Sequence, residues 1–276
     1  MLIDCHTHAF ADKIADKARN YIIEYYGLKT NFGARFCDLM DYALEASLDA
    51  LVLLTAATKP EQVHTINNWI LETLPALKKN IEKSSLPVPE VIPFGAYHTG
   101  DSGWLQEIAR LRTAKIKGIK LHPEFQGIDL ADPALNDFFA EIENDFIVMI
   151  HVGDRTVSDK NLSTPKKVAA IHKNFPHLKI IAAHMGGYKL WDEAYEFLAG
   201  KDLYIDTSSA ICYMEAAMIK KIIKRHGTDK VLFGSDFPMK SPKEEYEVLD
   251  RLHWITTPEK EKIAGINCSK LLEIKT

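Results

Sequence analysis

Histidine and aspartate side chains follow several short apolar runs of this sequence, at the points where those runs end. Such groups are suited to chemistry, because imidazoles and carboxylates bind metal ions and also transfer protons. In a sheet of parallel strands these positions lie at one edge, so residues that are distant in the chain meet there. The sequence therefore predicts one site built from His6, His8, His122, His151, His184 and Asp236.

The spacing of His6 and His8 predicts that both bind the same ion. On a strand, residues two apart point to one face, so the two imidazoles are placed to chelate together. His151 ends the apolar run 146–150, which favours a ligand. Asp236 ends another run, and a nearby cation removes the cost of burying its carboxylate. We therefore expect one divalent ion, best Zn²⁺ with Mn²⁺ or Fe²⁺ as alternatives, held by His6, His8, His151 and Asp236.

Further polar residues near the predicted strand ends are candidates for contacting a substrate. His184 precedes a glycine turn, and both a catalytic and a metal-facing role are open for it. Arg155 offers the two-pronged geometry that carboxylates prefer. The predicted substrate-binding residues are His98, Lys120, His122 and Arg155. The long interval 9–49 predicts an extra helix or a loop over the mouth of the site, with aromatic side chains available to face a substrate: Tyr21, Tyr25, Tyr26 and Phe32.

Eight short apolar runs alternate with segments of helical periodicity, which predicts an α/β fold with parallel strands. The predicted strands are residues 2–6, 50–54, 91–96, 118–122, 146–151, 179–184, 203–206 and 231–235. The predicted helices are residues 61–83, 102–115, 133–144, 165–175, 188–199, 214–225 and 243–252. Eight strand–helix units favour a closed (β/α)₈ (TIM) barrel, and an open doubly wound sheet is the structural alternative.

The composition is typical of an ordinary globular protein. The 276 residues are 46% hydrophobic and 26% charged, which suits one domain spanning 1–276. A net charge of −4 without basic runs argues against nucleic acid and anionic membranes as partners. Four scattered cysteines without CxxC spacing, and no secretory signal or membrane span, predict a cytoplasmic protein. We expect a small-molecule substrate as partner, and the sequence leaves a homodimer open.

Five segments together resemble the amidohydrolase superfamily, over essentially the whole chain and in order. Residues 4–8 (DCHTH) are similar to its opening motif. Residues 118–123 (GIKLHP), 183–187 (AHMGG) and 233–238 (FGSDFP) resemble the amidohydrolase-2 branch, which includes aminocarboxymuconate-semialdehyde decarboxylases and related hydrolases. The tail 263–272 (IAGINCSKLL) looks like the closing helix of that branch. These motifs are specific for fold and metal site but not for substrate.

The resemblance implies a distorted (β/α)₈ barrel and assigns roles to individual residues. His6, His8 and His151 would be metal ligands, Asp236 a ligand and proton acceptor, and His184 the catalytic imidazole. Binuclear members often carry a carboxylated lysine at the end of the fourth strand. Lys120 lies on that strand two residues before its end, so we expect one ion and not two.

The expected activity is that of a metal-dependent hydrolase. A divalent ion activates water, which then attacks a small amide, lactone or ester-like substrate, and this substrate is expected to carry a carboxylate. Non-oxidative decarboxylation of an unsaturated or aromatic acid is the alternative reaction. A barrel that binds metal without catalysis is a third reading, which the intact set of ligand positions disfavours.

Overall fold

Strands and helices alternate along the chain in the computed structural model, which describes residues 1–81, 88–158 and 160–274. The last two residues of the predicted helix 61–83 and the last two of the predicted domain lie outside these ranges. The strands are β1 (Ile3–His8), β2 (Ala50–Leu54), β3 (Glu90–Pro93), β4 (Gly95–Ala96), β5 (Gly118–Leu121), β6 (Ile147–Ile150), β7 (Lys179–Ala182), β8 (Tyr204–Asp206) and β9 (Val231–Leu232).

All neighbouring strands pair in parallel, in the orders β1-β2-β3 and β4-β5-β6-β7-β8-β9. Backbone contacts then bring the end of the second sheet back to the first strand. The N–H of Cys5 donates to the carbonyl of Phe233 at 2.9 Å, and Thr7 and Phe237 form a parallel bridge. The strand order therefore returns to its start, as in the predicted (β/α)₈ barrel and unlike an open sheet.

Two irregularities account for the distortion of this barrel. The predicted strand 91–96 is divided at Phe94, so that β3 pairs with β2 whereas β4 pairs with β5. Pro93 has no N–H to donate at this point, while the N–H of Phe94 still bonds the carbonyl of Leu53 at 2.9 Å. The second irregularity is a register shift between Asp4 and Thr7 in the pairing of β1 with β2.

The helices follow the predicted segments, with clear start signals. Thr164 accepts a hydrogen bond from the N–H of Lys167 and precedes a proline, which begins the helix at Pro165 as predicted. The described helices are α1 (Asp12–Tyr26), α2 (Phe36–Glu45), α3 (Val63–Asn68), α4 (Leu74–Ile81), α5 (Trp104–Thr113), α6 (Pro123–Gln126), α7 (Leu135–Ile142), α8 (Pro165–Asn174), α9 (Trp191–Phe197), α10 (Ala216–His226), α11 (Pro242–Asp250), α12 (Thr257–Glu261) and α13 (Asn267–Leu272).

The interval 9–49 contains two helices, α1 and α2, in agreement with the extra helix that its length predicts. Helix α1 ends at Gly27, whose left-handed backbone (φ 65°) suits a glycine.

Among the described residues, no helix is both long enough and apolar enough to cross a membrane.

Apolar side chains from both the strands and the helices form the core. The largest buried cluster joins strand residues such as Val148 and Ile180 to helix residues such as Phe138 and Ile222. A second cluster joins Ile3 and other strand residues to Cys268, Leu271 and Leu272 of α13. Burial of these apolar surfaces, at about 25 cal/mol per Å², is the main force that holds the strand ends in place.

Candidate metal and active site

The six polar residues predicted from strand-end positions lie at one edge of the sheet. His6 and His8 belong to β1, and the other four follow the last residues of β5, β6, β7 and β9. His184 and Asp236 both have left-handed backbones, with φ of 62° and 64°. Such a conformation is uncommon for residues with a side chain and is often found at functional sites.

His6, His8 and Asp236 place their ligand atoms together. Oδ1 of Asp236 lies 3.5 Å from Nε2 of His6 and 3.4 Å from Nε2 of His8, and the three ligand atoms are within 4.8 Å of one another. We call these three residues the ligand cluster. Two imidazole nitrogens and a carboxylate oxygen are a donor set that divalent transition metals favour.

The hydrogen bonds around the ligand cluster show that it fits a cation. Nδ1 of His8 lies 3.1 Å from the carbonyl of Leu54, which can only accept, so Nδ1 carries the proton. A neutral His8 then turns the unshared pair of Nε2 toward the Asp236 carboxylate. A proton or a metal cation between these atoms removes the repulsion. At His6, burial lowers the pKa well below 6.5 and disfavours the proton.

Asp236 is suited to remain ionised. Burial alone would raise its pKa, but a proton shared with His8 in a hydrogen bond, together with the imidazoles of His6 and His184, holds that pKa well below its ordinary value. Its second oxygen, Oδ2, accepts a hydrogen bond from the Ser209 hydroxyl at 2.6 Å. The carboxylate is therefore both charged and fixed in orientation.

His151 and His184 form a hydrogen-bonded chain beside the ligand cluster. Nδ1 of His184 lies 2.8 Å from the carbonyl of Ser208, so it donates, and Nε2 accepts from Nδ1 of His151 at 2.9 Å. Nε2 of His151 then accepts from the Tyr26 hydroxyl at 3.1 Å. Burial lowers the pKa of His151 well below 6.5, in agreement with a neutral His151 ring.

The predicted fourth ligand, His151, is thus adjacent to the site, but both of its ring nitrogens bond to other residues. The groups of ligand atoms within 4.8 Å among the described residues do not include it. Its role as a metal ligand stays a prediction. His184 lies closer, with its ring centroid 5.0 Å from that of His6.

The four predicted substrate-binding residues have different positions. His122 lines the cavity described below and stacks between His151 and Phe125, with ring centroids 3.9 and 4.0 Å away. Lys120 is completely buried beneath the cavity, and its Nζ lies 3.3 Å from Nε2 of His6. Burial lowers the pKa of Lys120 to about 8.

Arg155 and His98 do not line the cavity. Arg155 packs over the Tyr25 ring, 4.2 Å from its centroid, and donates to the Tyr25 carbonyl at 3.0 Å. His98 is bonded to backbone groups through both ring nitrogens, at 3.2 Å to the Gln126 carbonyl and 3.0 Å from the Gly100 N–H. The loops after the strands direct these two side chains away from the cavity. The position of a residue near a strand end does not predict the path of the loop.

A cavity of about 800 Å³ opens above the ligand cluster. Tyr21 and Tyr26 of α1 line it as predicted, whereas Tyr25 bonds Asp154 and Phe32 packs against Tyr42. Most of the remaining wall is apolar or aromatic. None of the described arginines lines the cavity. The positively charged side chains that do are three exposed lysines, Lys13, Lys17 and Lys59.

Asp206 and Ser208 also belong to the site, although neither residue was predicted from the sequence. Asp206 is completely buried at the end of β8, and its Oδ2 lies 2.9 Å from Nδ1 of His6. The signal was present, because Asp206 ends an apolar strand just as Asp236 follows one. Aspartates are also common in loops, so the sequence position of Asp206 alone does not identify it as a residue of the site.

Comparison with known proteins gives one family and a set of similar folds. The family model described as amidohydrolase matches residues 3–274. No curated protein sequence matches the chain. Among solved structures, an uncharacterised TIM-barrel protein from Bordetella bronchiseptica has a TM-score of 0.74 at 17% identity, covering 99% of this chain and 98% of that one. This similarity agrees with the barrel architecture described above.

Two further solved structures carry names of enzymes. A dihydroxybenzoic acid decarboxylase from Polaromonas sp., with bound manganese and the inhibitor 2-nitroresorcinol, has a TM-score of 0.65 at 14% identity and covers 99% of this chain and 97% of that one. A probable 2-pyrone-4,6-dicarboxylic acid hydrolase from Acinetobacter baumannii, with citric acid bound, has a TM-score of 0.66 at 16% identity and covers 99% of both chains.

Proposed function

The chain belongs to the amidohydrolase family of enzymes, and from this premise we propose that it is a metal-dependent enzyme that decarboxylates a small, planar, unsaturated or aromatic acid. The observation that carries the reaction is the cavity, which is mostly apolar and aromatic and has no described arginine in its wall. Metal dependence is supported by the ligand cluster at its base and by the manganese-bound decarboxylase with the same fold.

A single divalent ion would be held by the ligand cluster, with His151 as the further ligand that the family motif implies. When bound, the ion acts as a Lewis acid toward a substrate oxygen and lowers the pKa of a water molecule from 15.7 to about 7. Two imidazoles and a carboxylate suit Zn²⁺, Mn²⁺ and Fe²⁺ alike, and we propose Zn²⁺ first, with Mn²⁺ next because of the manganese-bound relative.

The residues around the cavity then orient the substrate and handle a proton. Asp236, held ionised, accepts a hydrogen bond from a phenol or other donor on the substrate. The carbon that loses CO₂ keeps the bonding electron pair and takes up a proton. This proton comes from solvent, and His184, which lines the cavity and is hydrogen-bonded to His151, is the group that takes it up and passes it to the carbon.

The cavity favours decarboxylation over hydrolysis, the reaction expected from the sequence. Moving a carboxylate from water to the apolar and aromatic part of this wall, away from the exposed lysines, destabilises it, and the loss of neutral CO₂ relieves this cost. The predicted carboxylate anchor, Arg155, lies outside the cavity and offers no such stabilisation.

Hydrolysis of a lactone, amide or ester-like bond is the second candidate. It is favoured by the ionised Asp236 carboxylate, which directly adjoins the proposed metal ligands. A carboxylate in this position is suited to accept the proton of an attacking water.

A parallel assay separates the two reactions. The protein is stripped of metal with a chelator and reloaded with Zn²⁺ or Mn²⁺. It is then incubated with hydroxybenzoates, and CO₂ release is measured. In parallel it is incubated with aromatic lactones and amides, and acid release is measured at constant pH. We expect metal-dependent CO₂ release, reduced at least about 100-fold by Asp236→Asn and retained by Asp41→Asn, at an exposed position of α2. Acid release without CO₂ would favour the hydrolase, and metal binding without turnover of either class would count against both.

A further inference from the structure

Asp206 is the most highly connected buried carboxylate of the described site. Its Oδ2 faces Nδ1 of His6 at 2.9 Å. Its Oδ1 accepts from the backbone N–H groups of His184 and Ser208, each at 3.0 Å, and from the Ser208 hydroxyl at 2.5 Å. The side chain is completely buried. Every one of its contacts is therefore with the protein, and it has no access to solvent or substrate.

We infer that Asp206 is a positioning residue that fixes the tautomer of His6 and so directs the Nε2 unshared pair of His6 toward the ion; this rests on the proposed metal site. An ionised carboxylate can only accept, so Nδ1 of His6 must carry the proton. The Ser208 hydroxyl, which gives its proton to Asp206, also accepts from Nδ1 of His6 at 2.9 Å. A carboxylate behind a histidine ligand both orients the ring and makes it a stronger donor.

The same carboxylate also holds the predicted catalytic imidazole. His184 has a left-handed backbone, and its N–H is bonded to Oδ1 of Asp206. The next residue, Met185, is also left-handed, with φ of 56°, and its N–H donates to the carbonyl of Asp206 at 2.7 Å. Side chain and backbone of Asp206 thus stabilise a turn that is otherwise unfavourable. One residue couples the position of a ligand to that of the imidazole beside it.

The substitution Asp206→Asn separates this role from simple packing. Three donors converge on Oδ1, so the single oxygen of asparagine is retained at that position. The amide NH₂ then replaces Oδ2 and faces Nδ1–H of His6, where two donors repel. His6 relieves this repulsion by moving its proton to Nε2, and it then has no unshared pair for the metal.

A matched control is available in Asp4, which is also a completely buried aspartate next to the ligand cluster. Its Oδ1 accepts from the backbone N–H groups of His6 and Ser235, each at 3.0 Å. The oxygen of an asparagine at this position still accepts both bonds. No histidine ring nitrogen bonds to Asp4 among the described residues, so Asp4→Asn alters a buried carboxyl group without acting on a tautomer.

The experiment measures tautomers and metal affinity independently of turnover. Two-bond ¹H–¹⁵N correlation spectra of ¹⁵N-histidine-labelled protein show whether the proton of His6 is on Nδ1 or Nε2, and the signal is assigned by its absence in His6→Gln. Competition with a chromogenic chelator gives the dissociation constant for Zn²⁺. We expect Nδ1–H in the wild type, Nε2–H in Asp206→Asn with about 10–100-fold weaker Zn²⁺ binding, and neither change in Asp4→Asn.

Two results would overturn the inference. One is a wild-type His6 protonated at Nε2, which is measured without any variant and stands even if Asp206→Asn does not fold. The other is a folded Asp206→Asn protein that binds Zn²⁺ as tightly as the wild type. Failure of the proposed function looks different, because a wild type that binds no Zn²⁺ while His6 carries Nδ1–H removes the metal site and leaves the role of Asp206 toward His6 intact.

Discussion

Asp236 and Glu245 are both buried acidic residues, but their surroundings shift their pKa values in opposite directions. Asp236 is held ionised by a hydrogen bond and by neighbouring imidazoles that outweigh its burial. Glu245 of α11 is 1% exposed, its Oε2 has no hydrogen-bond partner among the described residues, and burial raises its pKa to about 7. Burial without sufficient partners favours the neutral acid.

Replacing Glu245 with glutamine is expected to reduce the loss of stability at alkaline pH. The pKa of this carboxyl group is about 7 in the folded protein and 4.5 as its ordinary value, so the native state binds the proton more tightly. The free energy of unfolding therefore falls as pH rises from about 4.5 to about 7. The free energy of unfolding is measured with urea at pH 5 and at pH 8. From pH 5 to pH 8, the wild type should lose about 2 kcal/mol more of this free energy than Glu245→Gln does.

The control for this prediction is Glu261→Gln, at an exposed position. It should follow the wild type at both pH values. If Glu245→Gln and the wild type lose the same stability between pH 5 and pH 8, Glu245 is ionised without penalty in the folded protein and the explanation from burial is wrong.

The residues of the site were predictable from sequence wherever their position alone determines their environment. A histidine in or just after a parallel strand reaches the edge of the sheet whatever the loop beyond it does, and His6, His8 and His184 therefore lie there. Arg155 and His98 are a few residues further on, where the direction of a side chain depends on how the loop packs. The hydrogen bond between Asp206 and His6 joins residues 200 positions apart, and local patterns carry no trace of it.

Among the elements, helix α1 closes one side of the cavity and is fastened by its C-terminal end. The Tyr25 hydroxyl lies 3.1 and 3.2 Å from the two carboxylate oxygens of Asp154, and the Tyr26 hydroxyl bonds His151. Arg155 adds a hydrogen bond to the Tyr25 carbonyl. These contacts tie α1 to the segment that follows β6, so the order of the helix and the shape of the cavity depend on each other.

Removing the Tyr25 hydroxyl is expected to loosen α1. A hydrogen bond to a charged group contributes about 1.5 kcal/mol or more, so Tyr25→Phe should speed amide hydrogen exchange in α1 by about tenfold. The rates are measured by hydrogen–deuterium exchange with mass spectrometry. Tyr21→Phe is the control on the same helix, because its ring is exposed and the described residues include no hydrogen-bond partner for its hydroxyl. Equal exchange in both variants would show that this bond does not hold the helix.

The same contrast between local and distant causes applies to the elements. Periodicity predicted the alternation of strands and helices, and the eight predicted strands are all present. The break at Phe94 was not predicted, because it arises where one strand changes its pairing from β2 to β5. Which neighbour a strand pairs with is a property of the assembled sheet and is absent from the local sequence.

At the scale of the whole molecule, the proposed metal site joins the first strand to the segment after the last one. His6 and His8 belong to β1, whereas Asp236 follows β9. The N–H of Asp236 donates to the carbonyl of His6 at 2.8 Å, next to the ligand atoms. An ion bound at this position acts across the seam of the barrel and stabilises the closed form relative to any open one.

Metal loading is therefore expected to raise the thermal stability of the whole chain. An ion present at 100 times its dissociation constant adds about 2.7 kcal/mol to the free energy of unfolding, which raises the melting temperature by roughly 5–10 °C. Differential scanning calorimetry of the chelator-treated protein with and without Zn²⁺ measures this shift. His8→Ala should show a much smaller shift, and an undiminished shift in that variant would mean that the stabilising ion binds elsewhere.

The position of the site across the seam also has a consequence during biosynthesis. His6 and His8 are synthesised before Asp236, which follows them in the chain by more than 200 residues. At roughly 5–20 residues per second, this interval lasts on the order of tens of seconds. During that interval a nascent chain presents only part of the binding site, and only a polypeptide that extends past Asp236 can retain the ion.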